Sequence, residues 1–258
     1  MKRVKLSLLS LILLSVLYSC KTTKTTAEKQ HETAHKKHWT YTGDTAPKYW
    51  SNLSEKYFAC KGKAQSPIDI ESQDLIPTKA NNLQVNYKET PVKIENNGHT
   101  EEFVVSDGND MIFNGKTYHL KQFHMHTPSE HTVNRKHFPL EVHFVNKADD
   151  GTYAVISVLY IEGKVSPFLA KYLSHFPKTK GEYEGEGKLK LNEVLPSLEH
   201  YYHYKGSFTT PPCTEAVEWI ILKDHPTASK EQLKTLHQLM GDNYRPVQAI
   251  NGRKIEIE

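Results

Sequence analysis

The sequence predicts a mainly β fold of the α+β type, dominated by sheet, with short helices at its periphery. Three observations lead there. Short segments with alternating polar and apolar residues recur at 92–94, 102–105, 111–113, 119–126, 140–145 and 153–160. Turn signals separate them: Asn97-Gly98, Asp107-Gly108, Asn114-Gly115 and Asp150-Gly151. Helix-start signals stand out at only two places and do not alternate regularly with the strands, which argues against a doubly wound fold.

Each element has a local reason. Residues 1–20 read as an export signal, with a positive start at Lys2, Arg3 and Lys5 and an apolar run over 6–17 that is too short to span a bilayer comfortably. The run ends at Leu17-Tyr18-Ser19-Cys20, which resembles a bacterial lipoprotein cleavage box and implies that Cys20 carries lipid in the mature chain. Residues 21–37 are polar, rich in Thr and Lys, and read as a flexible tether. Aromatics arrive at Trp39, Tyr41, Tyr49 and Trp50, so one domain is placed over 38–258. The strands follow. The helices begin at Ser166-Pro167, where a cap precedes proline at the first helical position, and at Ser229, whose partner Gln232 completes a capping box.

The formal net charge is +3, but lysines cluster in the first 37 residues, so the domain itself is close to neutral. Nucleic-acid binding has no electrostatic support. The three cysteines are Cys20, Cys60 and Cys213. If Cys20 is lipidated, Cys60 and Cys213 remain either as a disulfide, which an oxidising compartment permits, or as two buried thiols. A bridge would contribute on the order of 4–5 kcal/mol through loop closure.

The 15 histidines invite a search for metal-ligand spacing. In Gln122-Phe123-His124-Met125-His126, strand alternation puts Gln122, His124 and His126 on one face. His143 lies 17 residues beyond His126, on a segment where Glu141, His143 and Val145 share a face. The stretch between can return the second strand beside the first, so that three imidazoles converge. Three histidines with an open fourth position describe a catalytic Zn2+ site. Gln122 and Glu141, each two residues before a ligand, can accept the ring N–H that the metal does not use.

QSPIDI, NNGH, QFHMHTPSEH, EVHFV, GSFTTPPCTE and NYRPVQ occur in order across the domain. Together they resemble the alpha class of carbonic anhydrase, from about Trp39 to the C-terminus, more than four-fifths of the chain. The resemblance implies a large central, mostly antiparallel twisted sheet. It implies a zinc lyase that hydrates carbon dioxide reversibly to bicarbonate and a proton through a zinc-bound hydroxide. His124, His126 and His143 match the family's metal ligands. Gln122, Glu141 and the Asn243 carbonyl match the groups that hold them. Thr209 matches the hydroxyl that orients the nucleophile, and Glu130 the carboxylate that accepts from it. His99 matches the proton shuttle, and Tyr41 and Asn97 the solvent network leading to it. Val145, Val155, Phe208, Thr210 and Trp219 match the substrate pocket, and Cys60 and Cys213 the disulfide of exported members. Cis bonds are implied at Ser66-Pro67 and Pro211-Pro212. Two departures are Phe208, where leucine is common, and Glu102, where the cavity rim usually has an amide. His131 is expected to make a structural hydrogen bond.

The expected partners are carbon dioxide and bicarbonate, and a bacterial membrane through lipid on Cys20, in the periplasm or at the cell surface. A homodimer is left open. Rival readings are a zinc-bearing binding module, an esterase, and a structural zinc protein. The intact ligand set with Thr209 and Glu130 argues against the first, the lack of a general acid against the second, and the lack of a fourth ligand against the third.

Overall fold

A computed structural model describes residues 38–78 and 83–258. The signal segment, the tether and Cys20 lie outside the described residues. In chain order the strands are β1 (Asp69–Ile70), β2 (Leu75–Pro77), β3 (Gln84–Asn86), β4 (Glu89–Asn96), β5 (Glu101–Val104), β6 (Asp110–Phe113), β7 (Lys116–His126) and β8 (Thr132–Val133). They continue with β9 (Lys136–His137), β10 (Leu140–Lys147), β11 (Tyr153–Glu162), β12 (Gly181–Lys190), β13 (Tyr201–Gly206), β14 (Val217–Leu222), β15 (Thr227–Ala228) and β16 (Ile255–Ile257). Among the described residues three short α-helices accompany them: α1 (Trp50–Leu53), α2 (Pro167–Tyr172) and α3 (Lys230–Met240).

Thirteen strands form one sheet, whose main path runs β12-β4-β5-β7-β10-β11-β14-β13-β16-β2. Pairing is antiparallel except where β14 and β15 run parallel to β11 and β2 parallel to β16. The alternating segments read from the sequence fall within β4, β6, β7, β10 and β11, and the segment 102–105 overlaps β5 and runs one residue past its end. Five strands of the main path carried no such alternation: β12, β14, β13, β16 and β2. β12 is a charged edge strand, whereas β14 reads Val-Glu-Trp-Ile-Ile-Leu and is buried over most of its length, so period 2 is lost.

The helix starts are where capping chemistry put them. Ser166 accepts from the Leu169 N–H, and Ser229 and Gln232 form the capping box. Gln232 does more than cap: its side chain also bonds the Ser166 N–H and carbonyl, tying α3 to α2.

The two faces of the central strands serve different ends. Val142 and Phe144 of β10 pack with Phe123, Met125, Phe103 and Phe168 in the main core under the helices. Opposite, Val145, Val155, Trp219 and Ile221 form a second cluster beside the histidines. A third holds Trp50 and the Cys60–Cys213 pair under Trp39 and Tyr41. That pair is bonded, with a sequence separation of 153. Cis peptide bonds occur at Ser66-Pro67 and Pro211-Pro212, and also at Thr127-Pro128, directly after His126.

Candidate metal centre

Register brings the histidines together. β7 and β10 pair antiparallel with His124 opposite His143 and Glu141 opposite His126. Opposed residues of neighbouring strands project from the same face. One ring nitrogen from each of His124, His126 and His143 lies within 4.8 Å of the other two.

Each imidazole is held from behind by an oxygen. His124 Nδ1 meets Gln122 Oε1 at 2.8 Å, His126 Nδ1 meets the Asn243 carbonyl at 2.7 Å, and His143 Nε2 meets Glu141 Oε1 at 2.6 Å. These oxygens can only accept, so each ring carries its proton on that side. The nitrogens left bare are His124 Nε2, His126 Nε2 and His143 Nδ1. His126 Nε2 is buried and has no hydrogen-bond partner among the described residues. Burial holds all three pKa values down, with His126 and His143 adding to the effect on His124. Three neutral imidazoles with inward lone pairs fit a zinc ion, and the orphaned His126 nitrogen is the sign that something belongs there.

Glu141 organises the back of the site. It is fully buried and accepts from the Glu130 and His131 N–H groups, His131 Nδ1, His143 Nε2 and the Ser157 hydroxyl, all within 2.8 Å. Burial would raise its pKa, but His131 and His143 outweigh that and hold the carboxyl well below the usual range. His131 is structural, as expected, and its Nε2 lies 2.7 Å from the Tyr204 hydroxyl. Asn243 is a second hub. Its side chain accepts from the Thr127 N–H and donates to the His99 and Met125 carbonyls.

Glu130 Oε1 accepts from the Arg245 N–H at 2.8 Å. Its Oε2 lies 3.5 Å from His126 Nε2 and 4.0 Å from His143 Nδ1 without a hydrogen bond. Burial pushes the Glu130 pKa up, opposed by His143, the adjacent Thr209 side chain and the Arg245 N–H. A cavity of about 260 Å³ opens over the centre. Gln122, His124, His143 and Thr209 line it together with the five expected pocket residues, Val145, Val155, Phe208, Thr210 and Trp219.

The rim holds the remaining expected residues. His99 stacks on Trp39 with ring centroids 3.7 Å apart, and its Nε2 lies 2.9 Å from His38 Nε2. Burial, then the charges of His38 and Lys180, push His99 down to about 4. Asn97 shapes this turn, its side-chain oxygen accepting from the His99 and Thr100 N–H groups. Tyr41 lies edge-on to Trp39 and 6.3 Å from the His99 ring, its pKa raised by burial and then by Glu130. Glu102 is half-buried, and burial followed by the charge of Glu95 pushes its carboxyl up to about 7.

The sequence reading missed the support behind the site. Arg245 is buried and donates to Gln65 Oε1 and to the Ser66 and Cys60 carbonyls while its backbone holds Glu130. Ser157, opposite His143 on β11, and Tyr204, bonded to Ser66, were also passed over. A lone hydroxyl in the apolar run Ala154-Val155-Ile156-Ser157-Val158 was the available signal.

Comparison with known proteins agrees with this geometry. A family model described as eukaryotic-type carbonic anhydrase matches residues 45–258. The chain is 39% identical over 221 residues to a carbonic anhydrase of Neisseria gonorrhoeae, covering 84% of this chain and 87% of that one. It is 40% identical over 222 residues to one of Pectobacterium atrosepticum, covering 84% and 90%. The alpha-carbonic anhydrase of Thermovibrio ammonificans, solved with sulfanilamide, superposes with a TM-score of 0.82 at 42% identity over 85% of this chain and 98% of that one. A dioscorin solved with ascorbate superposes with a TM-score of 0.79 at 31% identity, covering 86% and 98%. With the family model spanning the described domain and these relatives alike over nearly their full length, the chain belongs to the eukaryotic-type (alpha) carbonic anhydrase family and is an enzyme of that class.

Proposed function

We propose that this chain is a zinc enzyme that hydrates carbon dioxide reversibly to bicarbonate and a proton, with His124, His126 and His143 as its metal ligands. The observation that carries the reading is the set of three bare ring nitrogens within 4.8 Å, each fixed by a hydrogen bond on the opposite side of its ring. Zinc supplies Lewis-acid chemistry there, and carbonic anhydrase is itself the standing example of zinc lowering the pKa of a water to about 7.

The chain's residues do the rest. Gln122, Glu141 and the Asn243 carbonyl fix ring tautomer and orientation, so the lone pairs aim inward before any ligand arrives. Neutral imidazoles leave the metal's charge undiminished. Val145, Val155, Trp219, Phe208 and Thr210 exclude water and receive a substrate without net charge or dipole. Thr209 with Glu130 orients the attacking oxygen by accepting from it. His99, with Tyr41 and Asn97 beside it, carries the released proton toward bulk. In the Trp39 stack, burial and the charges of His38 and Lys180 push its pKa down to about 4, which makes the ring there a weak proton acceptor at neutral pH.

The same proposal places the enzyme outside the cytoplasm, lipid-anchored through Cys20. The Cys60–Cys213 bond suits an oxidising compartment. Stopped-flow carbon dioxide hydration by residues 21–258 tests the function, with zinc present, removed by chelator and restored. Activity that vanishes and returns with the metal is the expected result. A folded, zinc-loaded chain that hydrates nothing would overturn it and favour a binding protein.

A further inference from the structure

One cross-strand row ties the edge of the sheet to the three imidazoles. Glu182 on β12 stands opposite Glu95 on β4, Glu95 opposite Glu102 on β5, Glu102 opposite His124 on β7, and His124 opposite His143 on β10. Directly opposed residues share a face, so three carboxylates run in line toward the centre. The outermost is neutralised by Lys93, whose Nζ lies 2.8 Å from Glu182 and 3.5 Å from Glu184. Glu95 and Glu102 differ. Both are half-buried, and among the described residues neither has a basic partner or a side-chain hydrogen bond.

Like charges directly opposite each other destabilise a sheet, and an uncompensated pair of this kind calls for a reason. The row ends at a centre with the geometry to take a ligand, where His126 Nε2 is buried and has no hydrogen-bond partner among the described residues. Negative charge beside such a centre acts on anything charged that enters and leaves an uncharged gas alone.

We propose that Glu95 and Glu102 are specificity-determining residues that weaken the binding of small monovalent anions at the imidazole centre without affecting carbon dioxide. The inference rests on the function proposed above. Neighbouring strands lie about 4.8 Å apart, so the two carboxylates are on the order of 8–12 Å from an anion seated beside the imidazoles. In water at low salt, two such charges weaken a monovalent anion roughly fivefold, and the innermost alone roughly two- to threefold. At about 0.5 M salt the screening length falls to about 4 Å and most of the effect disappears.

The test is thiocyanate binding to the zinc-loaded chain at pH 8.5, read directly by calorimetry as Kd and alongside it as the Ki for inhibition of carbon dioxide hydration. Wild type, E102Q and E95Q/E102Q are compared at about 10 mM ionic strength and at about 0.5 M methanesulfonate. At low salt the double variant should lower the thiocyanate Kd and Ki roughly fivefold and E102Q roughly two- to threefold. At high salt both differences should shrink below about 1.5-fold, and KM for carbon dioxide should move less than about twofold at either strength. Glutamine preserves shape and relieves repulsion, so both variants should fold. An active enzyme whose thiocyanate Kd does not move or moves equally at both strengths, or whose Ki moves together with KM, would overturn this inference alone. A chain that hydrates no carbon dioxide would overturn the function and this inference with it.

Discussion

Replacing Glu141 with glutamine keeps the side chain's shape and removes only its charge and one acceptor. The carboxylate accepts five hydrogen bonds in a fully buried position, two on Oε2 from the Glu130 and His131 N–H groups and three on Oε1 from His131, His143 and Ser157. An amide must point its NH2 at one of these sets. The less costly choice is toward the two backbone N–H groups, which leaves two buried donors without an acceptor. Each unsatisfied buried group costs about 1–3 kcal/mol, so Glu141→Gln should lower the unfolding free energy by about 2–6 kcal/mol. His143 also loses its anionic partner, and metal affinity should fall about 10–100-fold. Urea unfolding of the metal-free protein gives the first quantity, as a lower midpoint with unchanged slope, and competition against a chromophoric chelator gives the second. A stability loss under about 1 kcal/mol together with unaltered metal affinity would refute the view that this carboxylate organises the site.

Other consequences are as concrete. Replacing Cys60 and Cys213 with serine should cost about 5 kcal/mol on the loop-entropy account, read as a lower melting temperature that matches reduced wild type. His203 sits between Glu218 at 2.7 Å and Glu256 at 2.8 Å; burial lowers its pKa, but the two carboxylates outweigh that and raise it. A raised folded pKa favours the protonated folded form, so its stabilisation is complete below about pH 6.5 and is lost as pH climbs through the raised value. His203→Gln should therefore destabilise more at pH 5.5 than at pH 9, measured by urea midpoints. His99→Ala should slow hydration in weak buffer and recover with added imidazole, leaving KM for carbon dioxide unchanged.

The strand that carries the paired histidines was readable because its information is local. Alternation in Gln122-Phe123-His124-Met125-His126 sorts residues onto two faces whatever the strand pairs with, and the same period marks Glu141, His143 and Val145. Capping at Ser166 and Ser229 was readable for the same reason, since a cap and its partner lie three residues apart. The family motifs carried the rest of the expected site onto Thr209, Glu130, Asn243 and the pocket wall. Lipidation of Cys20 belongs to a segment beyond the described residues.

Alternation could say that His124 and His143 each face one side of a strand; only register could say that they face each other. The Asn243 carbonyl reaches His126 across 117 positions, and Arg245 reaches Cys60 across 185. No local rule predicts such partners, because they are chosen by how loops pack against the sheet once it has formed. The carboxylate row is of the same kind. Glu182, Glu95 and Glu102 are ordinary glutamates in the sequence, and become a line pointing at His124 only when β12, β4, β5 and β7 pair in this order. Residue type and short-range spacing thus determined which groups could do chemistry and which way they face. Cross-strand register and buried long-range hydrogen bonds decided which groups meet, because convergence depends on contacts between segments far apart in the chain.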